Sequence, residues 1–157
     1  MKQFVSRGVV FLAGAVSLPV SMPQRLPGHA SVGYRQDPRL DILRRFFAEI
    51  DCPALGYAPA FLEAADVSAL DWRLLPSLSY IESTGGKAAR NNNFFGWDSG
   101  RAKFPSPAAG IQTVAYRLSQ GDRYQDKTLD EKLAIYNPKS GYARKVKSIM
   151  RRIAPSE

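Results

Sequence analysis

The sequence predicts a mostly helical single domain, and three observations support this fold class. Apolar residues recur at helical spacing in separate segments between residues 38 and 153. Several of these segments begin at an Asp, Ser or Thr, and two of those capping residues are followed directly by proline. No run alternates long enough between apolar and polar side chains to predict a strand. The 157 residues, 45% of them hydrophobic, suffice for one globular domain.

Three helices are predicted before residue 84. Asp37 and Pro38 supply an N-cap and a first-turn proline for a helix over residues 38–50. Its apolar stripe consists of Leu40, Leu43, Phe47 and Ile50. A second, short helix is expected within residues 59–69, and a third over residues 71–83. The third stripe consists of Leu70, Leu74, Leu78 and Ile81. Pro76 falls inside this pattern, so it either kinks the third helix or marks a later start.

A polar segment and three further helices follow. Residues 84–100 are rich in Gly and Asn and have no period, which predicts a long loop or a small irregular hairpin. Ser106 caps a helix that ends before Gly121. Thr128 and Glu131 fit a capping box for a short helix that ends at residues 137–138. The last helix is expected at about residues 140–152. Its buried face is predicted to be Tyr142, Val146, Ile149 and Ile153.

The first 30 residues have the layout of a secretory leader. Lys2 and Arg7 precede a mostly apolar run of 12 residues, 9–20, which is too short to span a bilayer as a helix. We therefore expect residues 31–157 to form an exported domain, found in the periplasm, the cell wall or the medium. Cleavage after Ala30 satisfies the small-x-small rule, and a site near Ser21 or an uncleaved anchor is the alternative.

Charge and rare residues exclude several kinds of chemistry. The net charge is +8; residues 31–157 hold 19 basic and 14 acidic groups, or +5. The one histidine, His29, lies in the leader, so the mature domain has no imidazole for a Ser-His-Asp triad or a zinc site. Cys52 cannot form an internal disulfide and is interpreted as a small buried side chain. We expect no metal and no cofactor.

The basic residues of the last helix are interpreted as a solvated face drawn to the anionic cell envelope, not as a nucleic-acid site.

Glu82 is the first candidate for chemistry. It follows Ile81 at the end of the third apolar stripe, which places its carboxyl group at the edge of the core. Partial burial there penalises the charged form of a carboxyl group, as a proton-donating acid requires. The alternative is an exposed glutamate in the last turn of a helix, where an anion opposes the helix dipole.

The segment around Glu82 resembles the catalytic segment of the lysozyme-like superfamily of peptidoglycan-cleaving enzymes. Residues 75–97 read LPSLSYIESTGGKAARNNNFFGW. In those families a helix ends in Glu-Ser, and bacterial glucosaminidases follow it with a Gly-rich turn and Asn-Asn-x-Phe-Gly, as residues 92–96 do here. Tyr136 and Asn137 resemble the Tyr-Asn of soluble lytic transglycosylases, and the spacing from Tyr136 to Tyr142 is similar to that of the glucosaminidases. The resemblance spans residues 59–153.

The resemblance implies a lysozyme-like fold and an endo-β-N-acetylglucosaminidase that cuts β-1,4 bonds of the GlcNAc-MurNAc glycan. Glu82 would be its general acid and Tyr136 its active-site tyrosine. The substrate-binding residues it implies are Ser83, Asn92, Asn93, Phe95, Gly96, Trp97 and Tyr142. For Asn92 and Asn93 the alternative is a role in turn formation, which is typical of Asn runs. The glucosaminidases usually have Glu-Ser-Gly-Trp-Gly where residues 82–86 read ESTGG, so a sugar-stacking Trp is missing there. Trp97 either takes over that stacking or anchors its loop in the core.

The second catalytic group is left open by the sequence. A glycosidase normally pairs its acid with another carboxylate, and Asp98 is the one other acid between residues 72 and 121. Either Asp98 positions water, or the N-acetyl or 6-hydroxyl group of the substrate completes the reaction, as in lytic transglycosylases. A non-catalytic glycan-binding or scaffold protein is the third alternative. The expected partner is the peptidoglycan glycan strand, bound by a monomer.

Overall fold

The computed structural model describes residues 33–155, and this part of the chain is mostly helical, as predicted. The predicted leader, with its cleavage site and His29, lies outside the described residues. The helices are α1 (Pro38–Glu49), α2 (Ala58–Val67), α3 (Leu74–Ser83), α4 (Pro107–Gln120), α5 (Leu129–Tyr136) and α6 (Tyr142–Ile153). They confirm the six predicted helices, and a 3-10 helix, Pro53–Tyr57, that was not predicted precedes α2. No helix among residues 33–155 combines the length and apolar character needed to cross a membrane.

The helix starts are fixed by the predicted caps. Asp37 accepts a hydrogen bond from the Arg39 backbone N–H at 2.9 Å, and Ser106 Oγ accepts one from Ala109 at 3.2 Å. Thr128 and Glu131 form the complete capping box at the start of α5. Helix α3 begins at Leu74, so Pro76 lies in its first turn, where a missing N–H costs no helical hydrogen bond. Pro76 therefore marks a later start and not a kink.

The core lies between helix pairs and takes in part of the polar loop. Helix α2 packs against α4, and α3 packs against α6. At the centre, the rings of Phe47 and Phe61 lie 5.3 Å apart, and the loop residue Phe95 lies 6.2 Å from Phe61. Phe95 is 1% exposed, so it ties the loop to the helices. Burying such a ring contributes roughly 1.5–3 kcal/mol to folding.

Four residues of the predicted apolar stripes lie at the margin of the core and are half-buried: Ile50, Leu70, Ile81 and Ile149. On α6 the buried residues are Tyr142, Val146, Met150 and Ile153. Met150 is buried in the place predicted for Ile149, which is half-buried; both follow Val146 at helical spacing, and the packing of α6 on α3 decides which of them is covered. Ile50 is also half-buried, at the end of α1. Cys52 is buried, as predicted, and burial raises the pKa of its thiol.

The polar loop leaves α3 through a left-handed turn. Thr84 has φ 54° and donates its N–H to the Tyr80 carbonyl at 2.9 Å, which ends the helix directly after Ser83. Gly85 follows at φ 64°, and a Cβ there would lie 2.4 Å from Cys52 Sγ, so only glycine fits. Farther on, Arg90 and Asn93 form an isolated antiparallel bridge. Of the two predicted alternatives, a long loop and a small irregular hairpin, the structure thus has the long loop, with one isolated bridge inside it.

Candidate active site

A cleft of about 970 Å³ lies beside the end of α3. Its walls come from the polar loop, α4, the α4–α5 connection and the end of α5. The predicted site residues that line it are Glu82, Phe95, Gly96, Trp97, Asp98 and Tyr136. The predicted residues absent from its lining are Ser83, Asn92, Asn93 and Tyr142. The residues of the second group form hydrogen bonds to the loop or to Glu82 instead.

Glu82 is half-buried in the last turn of α3 and points into the cleft. The Tyr142 hydroxyl donates a hydrogen bond to Glu82 Oε1 at 2.6 Å. No other hydrogen bond to the Glu82 carboxyl group is present among residues 33–155, and Oε2 lies beside Gly96, where an added Cβ would come within 3.2 Å of it. One carboxyl oxygen is thus held by Tyr142, and the other accepts no hydrogen bond from the described residues.

Two tyrosines stand side by side next to Glu82. The rings of Tyr136 and Tyr142 stack with centroids 6.0 Å apart and planes 15° apart. Burial raises the pKa of both hydroxyls; the hydrogen bond to Glu82 raises that of Tyr142 further, and the nearby Glu82 carboxylate raises that of Tyr136. Because both phenols stay protonated at ordinary pH, Tyr142 remains a hydrogen-bond donor to Glu82.

Tyr136 fixes the loop and does not touch Glu82 through its hydroxyl. Its O–H donates to the Phe95 backbone carbonyl, and its ring meets Trp97 edge-on with centroids 5.8 Å apart. The resemblance implied that Tyr136 is the active-site tyrosine; the structure places it in the cleft, but the hydroxyl on Glu82 is that of Tyr142. The sequence spacing brought both tyrosines into the site without saying which one bonds the acid.

Asn93 holds the loop together from inside. It is 3% exposed, and its Nδ2 donates to the carbonyls of Trp97 at 3.0 Å and Ala102 at 3.3 Å. Its Oδ1 accepts from the Trp97 N–H at 3.0 Å. These bonds occupy the side-chain amide of Asn93, which the resemblance assigns to substrate binding. Asn93 therefore stabilises the loop that forms the cleft wall, and its side chain does not line the cleft.

Asn92 and Ser83 also bond to the backbone of the loop. Asn92 has φ 58° and donates from Nδ2 to the Phe104 carbonyl at 2.8 Å. Ser83 Oγ donates to the Phe94 carbonyl at 2.7 Å and accepts from the Gly86 N–H at 2.9 Å. The adjacent residues Glu82 and Ser83 thus have different roles. Glu82 lines the cleft, and Ser83 forms hydrogen bonds that hold the loop behind it.

Replacing Asn93 by alanine is expected to lower the free energy of unfolding by about 2–3 kcal/mol. The substitution removes three hydrogen bonds and leaves two part-buried backbone groups, the Trp97 N–H and the Ala102 carbonyl, without their partner, which costs about 1–3 kcal/mol per group at most. Urea unfolding measures the change. Gln112→Ala, an exposed change on α4, is the control and should stay within about 0.5 kcal/mol of wild type. Equal midpoints for the two variants would contradict the scaffold role.

Trp97 both anchors the loop and borders the cleft. Its ring centroid lies 6.0 Å from that of Tyr124 and 5.8 Å from that of Tyr136, and the Arg117 guanidinium lies 5.7 Å from it. The side chain is half-buried and lines the cleft. Both predicted alternatives, sugar stacking and anchoring, thus have a physical basis in its contacts.

Asp98 lies at an exposed position of the cleft wall. Its Oδ1 pairs with Arg101 at 2.7 Å, and its side chain is 54% exposed. Asp98 and Glu82 are the carboxylates among the described residues that line the cleft. No three His, Cys, Asp or Glu side chains within residues 33–155 group closely enough to hold a metal ion.

Sequence reasoning missed the basic and aromatic residues that complete the cleft. These are Lys103, Phe104, Arg117, Arg123, Tyr124 and Lys139. They come from four separate segments, and no local pattern relates them. Only the tertiary packing of α4 and α5 around the loop brings them together.

None of the family models, curated proteins and solved structures with which the chain was compared matches it.

Proposed function

We propose that this protein is a peptidoglycan glycosidase that cuts β-1,4 bonds of the GlcNAc-MurNAc glycan, with Glu82 as general acid. The observation that supports this best is the unequal setting of the two carboxyl oxygens of Glu82. Oε1 accepts a hydrogen bond from Tyr142, whereas Oε2 lies beside Gly96, which lines the cleft together with Glu82. The motif in residues 75–97 supplies the reaction class, since Glu82 occupies its acid position.

The chemistry follows from this arrangement. Glu82 gives its proton from Oε2 to the glycosidic oxygen as the bond from that oxygen to the anomeric carbon breaks, and the sugar becomes oxocarbenium-like. Tyr142 keeps the carboxyl group in place while the charge on it changes. Tyr136 holds the Phe95 carbonyl, so the loop beside Gly96 stays at a fixed distance from the acid.

The cleft suits a glycan in size and lining. Its volume of about 970 Å³ is at the upper end of the range of ligand pockets, roughly 300–1,000 Å³. Trp97, Tyr124 and Tyr136 give it aromatic walls, and aromatic faces pack on the apolar faces of sugar rings.

Hydrolysis needs a group that activates water, and Asp98 is the candidate for it. The ion pair between Asp98 and Arg101 is exposed on both sides, and such pairs contribute about 0–1 kcal/mol. The carboxylate therefore turns toward a water molecule at little cost. Water attack on the anomeric carbon gives a reducing end and completes N-acetylglucosaminidase-type hydrolysis.

The alternative is a lytic transglycosylase. The ion pair of Asp98 with Arg101 favours this route. A reaction that uses the 6-hydroxyl of the substrate needs only one acid–base residue, which is Glu82, and leaves Asp98 unused. Glu82 would first protonate the leaving oxygen and then take the proton of the 6-hydroxyl, which closes the anhydro ring of MurNAc. A protein that binds glycan without cutting it is the remaining candidate.

The proposal includes export, because peptidoglycan lies outside the cytoplasmic membrane and residues 1–30 have the layout of a secretory signal. Cell fractionation tests this part. A chain found at full length in the cytosol and nowhere else would contradict it.

Mass analysis of purified sacculi after incubation with the protein tests the proposed reaction. New reducing GlcNAc ends indicate the glucosaminidase route, and anhydro-MurNAc ends indicate transglycosylation. Reducing MurNAc ends would show a glycosidase acting on the other bond. Binding without new ends would overturn the enzyme proposal in favour of a glycan-binding protein.

Replacing Gly96 by alanine is expected to cut the cleavage rate by about tenfold while the protein still folds. The new Cβ would lie 3.2 Å from Glu82 Oε2, so the carboxyl group must move by a few tenths of an ångström. Misplacing a catalytic group by about 1 Å costs about 10²-fold, and this smaller displacement correspondingly less. The rate of release of soluble fragments from sacculi measures the effect.

Gly100 offers a matched control for this substitution. It also has a left-handed backbone, φ 81°, but nothing lies within 4 Å of an added Cβ. Gly100→Ala therefore bears the same backbone cost, about 1–2 kcal/mol, without crowding the acid. Equal loss of activity in the two variants would contradict the assignment of Oε2 as the proton donor.

A further inference from the structure

Four basic side chains line the cleft that contains Glu82. They are Lys103, Arg117, Arg123 and Lys139, and all four are exposed. They come from the loop before α4, from α4 itself and from the connections on either side of α5. None of them forms an ion pair with a carboxylate among the described residues. We call these four residues the basic wall.

The basic wall gives the cleft an excess of positive charge. Of the two carboxylates there, Asp98 is neutralised by Arg101, which leaves Glu82 against four cations. Like charges that face one concave surface reinforce each other and raise the local concentration of anions. A neutral glycan gains nothing from this field.

The proposed substrate carries anions at a defined place. Each MurNAc bears a lactyl side arm, which ends in a carboxylate or, when a peptide is attached, continues into a chain with its own carboxylates. Arg117 is held against the Trp97 ring, 5.7 Å from its centroid. A MurNAc ring packed near Trp97 would therefore bring its side arm close to the Arg117 guanidinium group. Guanidinium groups bind carboxylates through bidentate hydrogen bonds.

We propose that the basic wall binds the carboxylates on the side arm of MurNAc, so that the cleft selects acidic wall glycan over neutral GlcNAc polymers. This inference rests on the proposed function, because it takes the occupant of the cleft to be peptidoglycan. It adds a subsite that the motif around Glu82 does not contain. The source of the carboxylate is either the lactyl group itself or the attached peptide.

Calorimetric titration of the full protein with three tetrasaccharides tests the proposal. They are chitotetraose, a GlcNAc-MurNAc tetrasaccharide with free lactyl groups, and the same tetrasaccharide carrying its peptides. The Glu82→Gln variant is used so that no ligand is cut. We expect at least one acidic ligand to bind about tenfold more tightly than chitotetraose at low salt, and the advantage to shrink as salt screens the charges. The tighter of the two acidic ligands identifies the source of the carboxylate.

Charge variants locate the effect in the cleft. The double variant Lys103→Gln with Arg123→Gln is expected to remove most of the tenfold preference, measured as the ratio of the Kd values for chitotetraose and for the acidic ligand on the same variant. The matched control, Arg144→Gln with Lys145→Gln, removes the same charge from exposed positions of α6 that do not line the cleft, and should keep the preference. Equal loss in both double variants would overturn the proposal, because a general field would then explain the preference.

The outcomes separate this inference from the glycosidase proposal. If the wild type cuts sacculi but all three tetrasaccharides bind equally, the basic wall is not a carboxylate subsite and the glycosidase proposal stands. If the wild type cuts nothing but prefers acidic glycan through the basic wall, the subsite stands and catalysis is refuted. Failure of the protein to bind any of the three ligands would overturn the subsite as well.

Discussion

Replacing Glu82 by glutamine is expected to abolish glycan cleavage while the protein still folds and binds sacculi. The amide has nearly the size of the carboxyl group, and its oxygen still accepts the hydrogen bond that Tyr142 donates. It has no acidic proton to give, and loss of a general acid typically slows a reaction about 10²–10⁴-fold. The rate of formation of new glycan ends, measured by mass spectrometry, gives the size of the loss.

A glutamate outside the cleft provides the control for this substitution. Glu49 lies on α1 and forms an exposed ion pair with Arg152 at 3.3 Å. Glu49→Gln should leave the rate unchanged, because such a pair contributes about 0–1 kcal/mol and lies away from the cleft. Cleavage by Glu82→Gln at the wild-type rate would contradict the mechanism.

Replacing Tyr142 by phenylalanine is expected to lower kcat by about 10- to 100-fold with little change in KM. Tyr142 is a positioning residue, since it acts through Glu82 Oε1 and does not line the cleft. A hydrogen bond to a charged group contributes about 1.5–3 kcal/mol, and 1.4 kcal/mol corresponds to a factor of ten. Steady-state kinetics on soluble glycan fragments separate kcat from KM.

The matching control is Tyr80→Phe, also a loss of one hydroxyl. Tyr80 lies on α3 two residues before Glu82, with its ring against Phe46 and Arg152. Its hydroxyl has no part in holding the acid, so kcat should stay at the wild-type value. A Tyr142→Phe variant with unchanged kcat, or one whose loss appears only in KM, would show that the hydroxyl does not position Glu82.

The helices were predictable because their signals are local. Asp37, Ser106 and the Thr128–Glu131 box each satisfy backbone N–H groups within one turn, so the caps can be read without the fold. The position of Pro76 was ambiguous in sequence, because a proline suits a first turn and breaks a later one. The exact edge of the α6 face, where Met150 is buried and Ile149 half-buried, depends on how α6 packs on α3.

The candidate site was predictable only in part. Glu82 follows from its place at the end of an apolar stripe, and the Gly-rich and Asn-rich motif marks the loop beside it. Whether Asn93 faces a ligand or the loop interior depends on bonds to Trp97 and Ala102 that no spacing rule gives. The choice of Tyr142 over Tyr136 as the partner of Glu82 depends in the same way on tertiary packing.

The basic wall had no signal in the sequence at all. Lys103, Arg117, Arg123 and Lys139 are spread over 37 positions and read singly as ordinary solvated residues. They become a common feature only because the loop, α4 and the connections around α5 border one cleft.

A crystal structure of the Glu82→Gln variant with a bound GlcNAc-MurNAc tetrasaccharide tests whether Glu82 can act on the glycosidic bond. The glycan should lie in the cleft with one glycosidic oxygen within hydrogen-bond distance, about 2.6–3.2 Å, of the side-chain amide at position 82. The atom nearest that oxygen should be the one beside Gly96, with Tyr142 still bonded to the other. A glycan bound outside the cleft, or one whose glycosidic oxygens all lie beyond reach of position 82, would contradict the role of Glu82 as general acid.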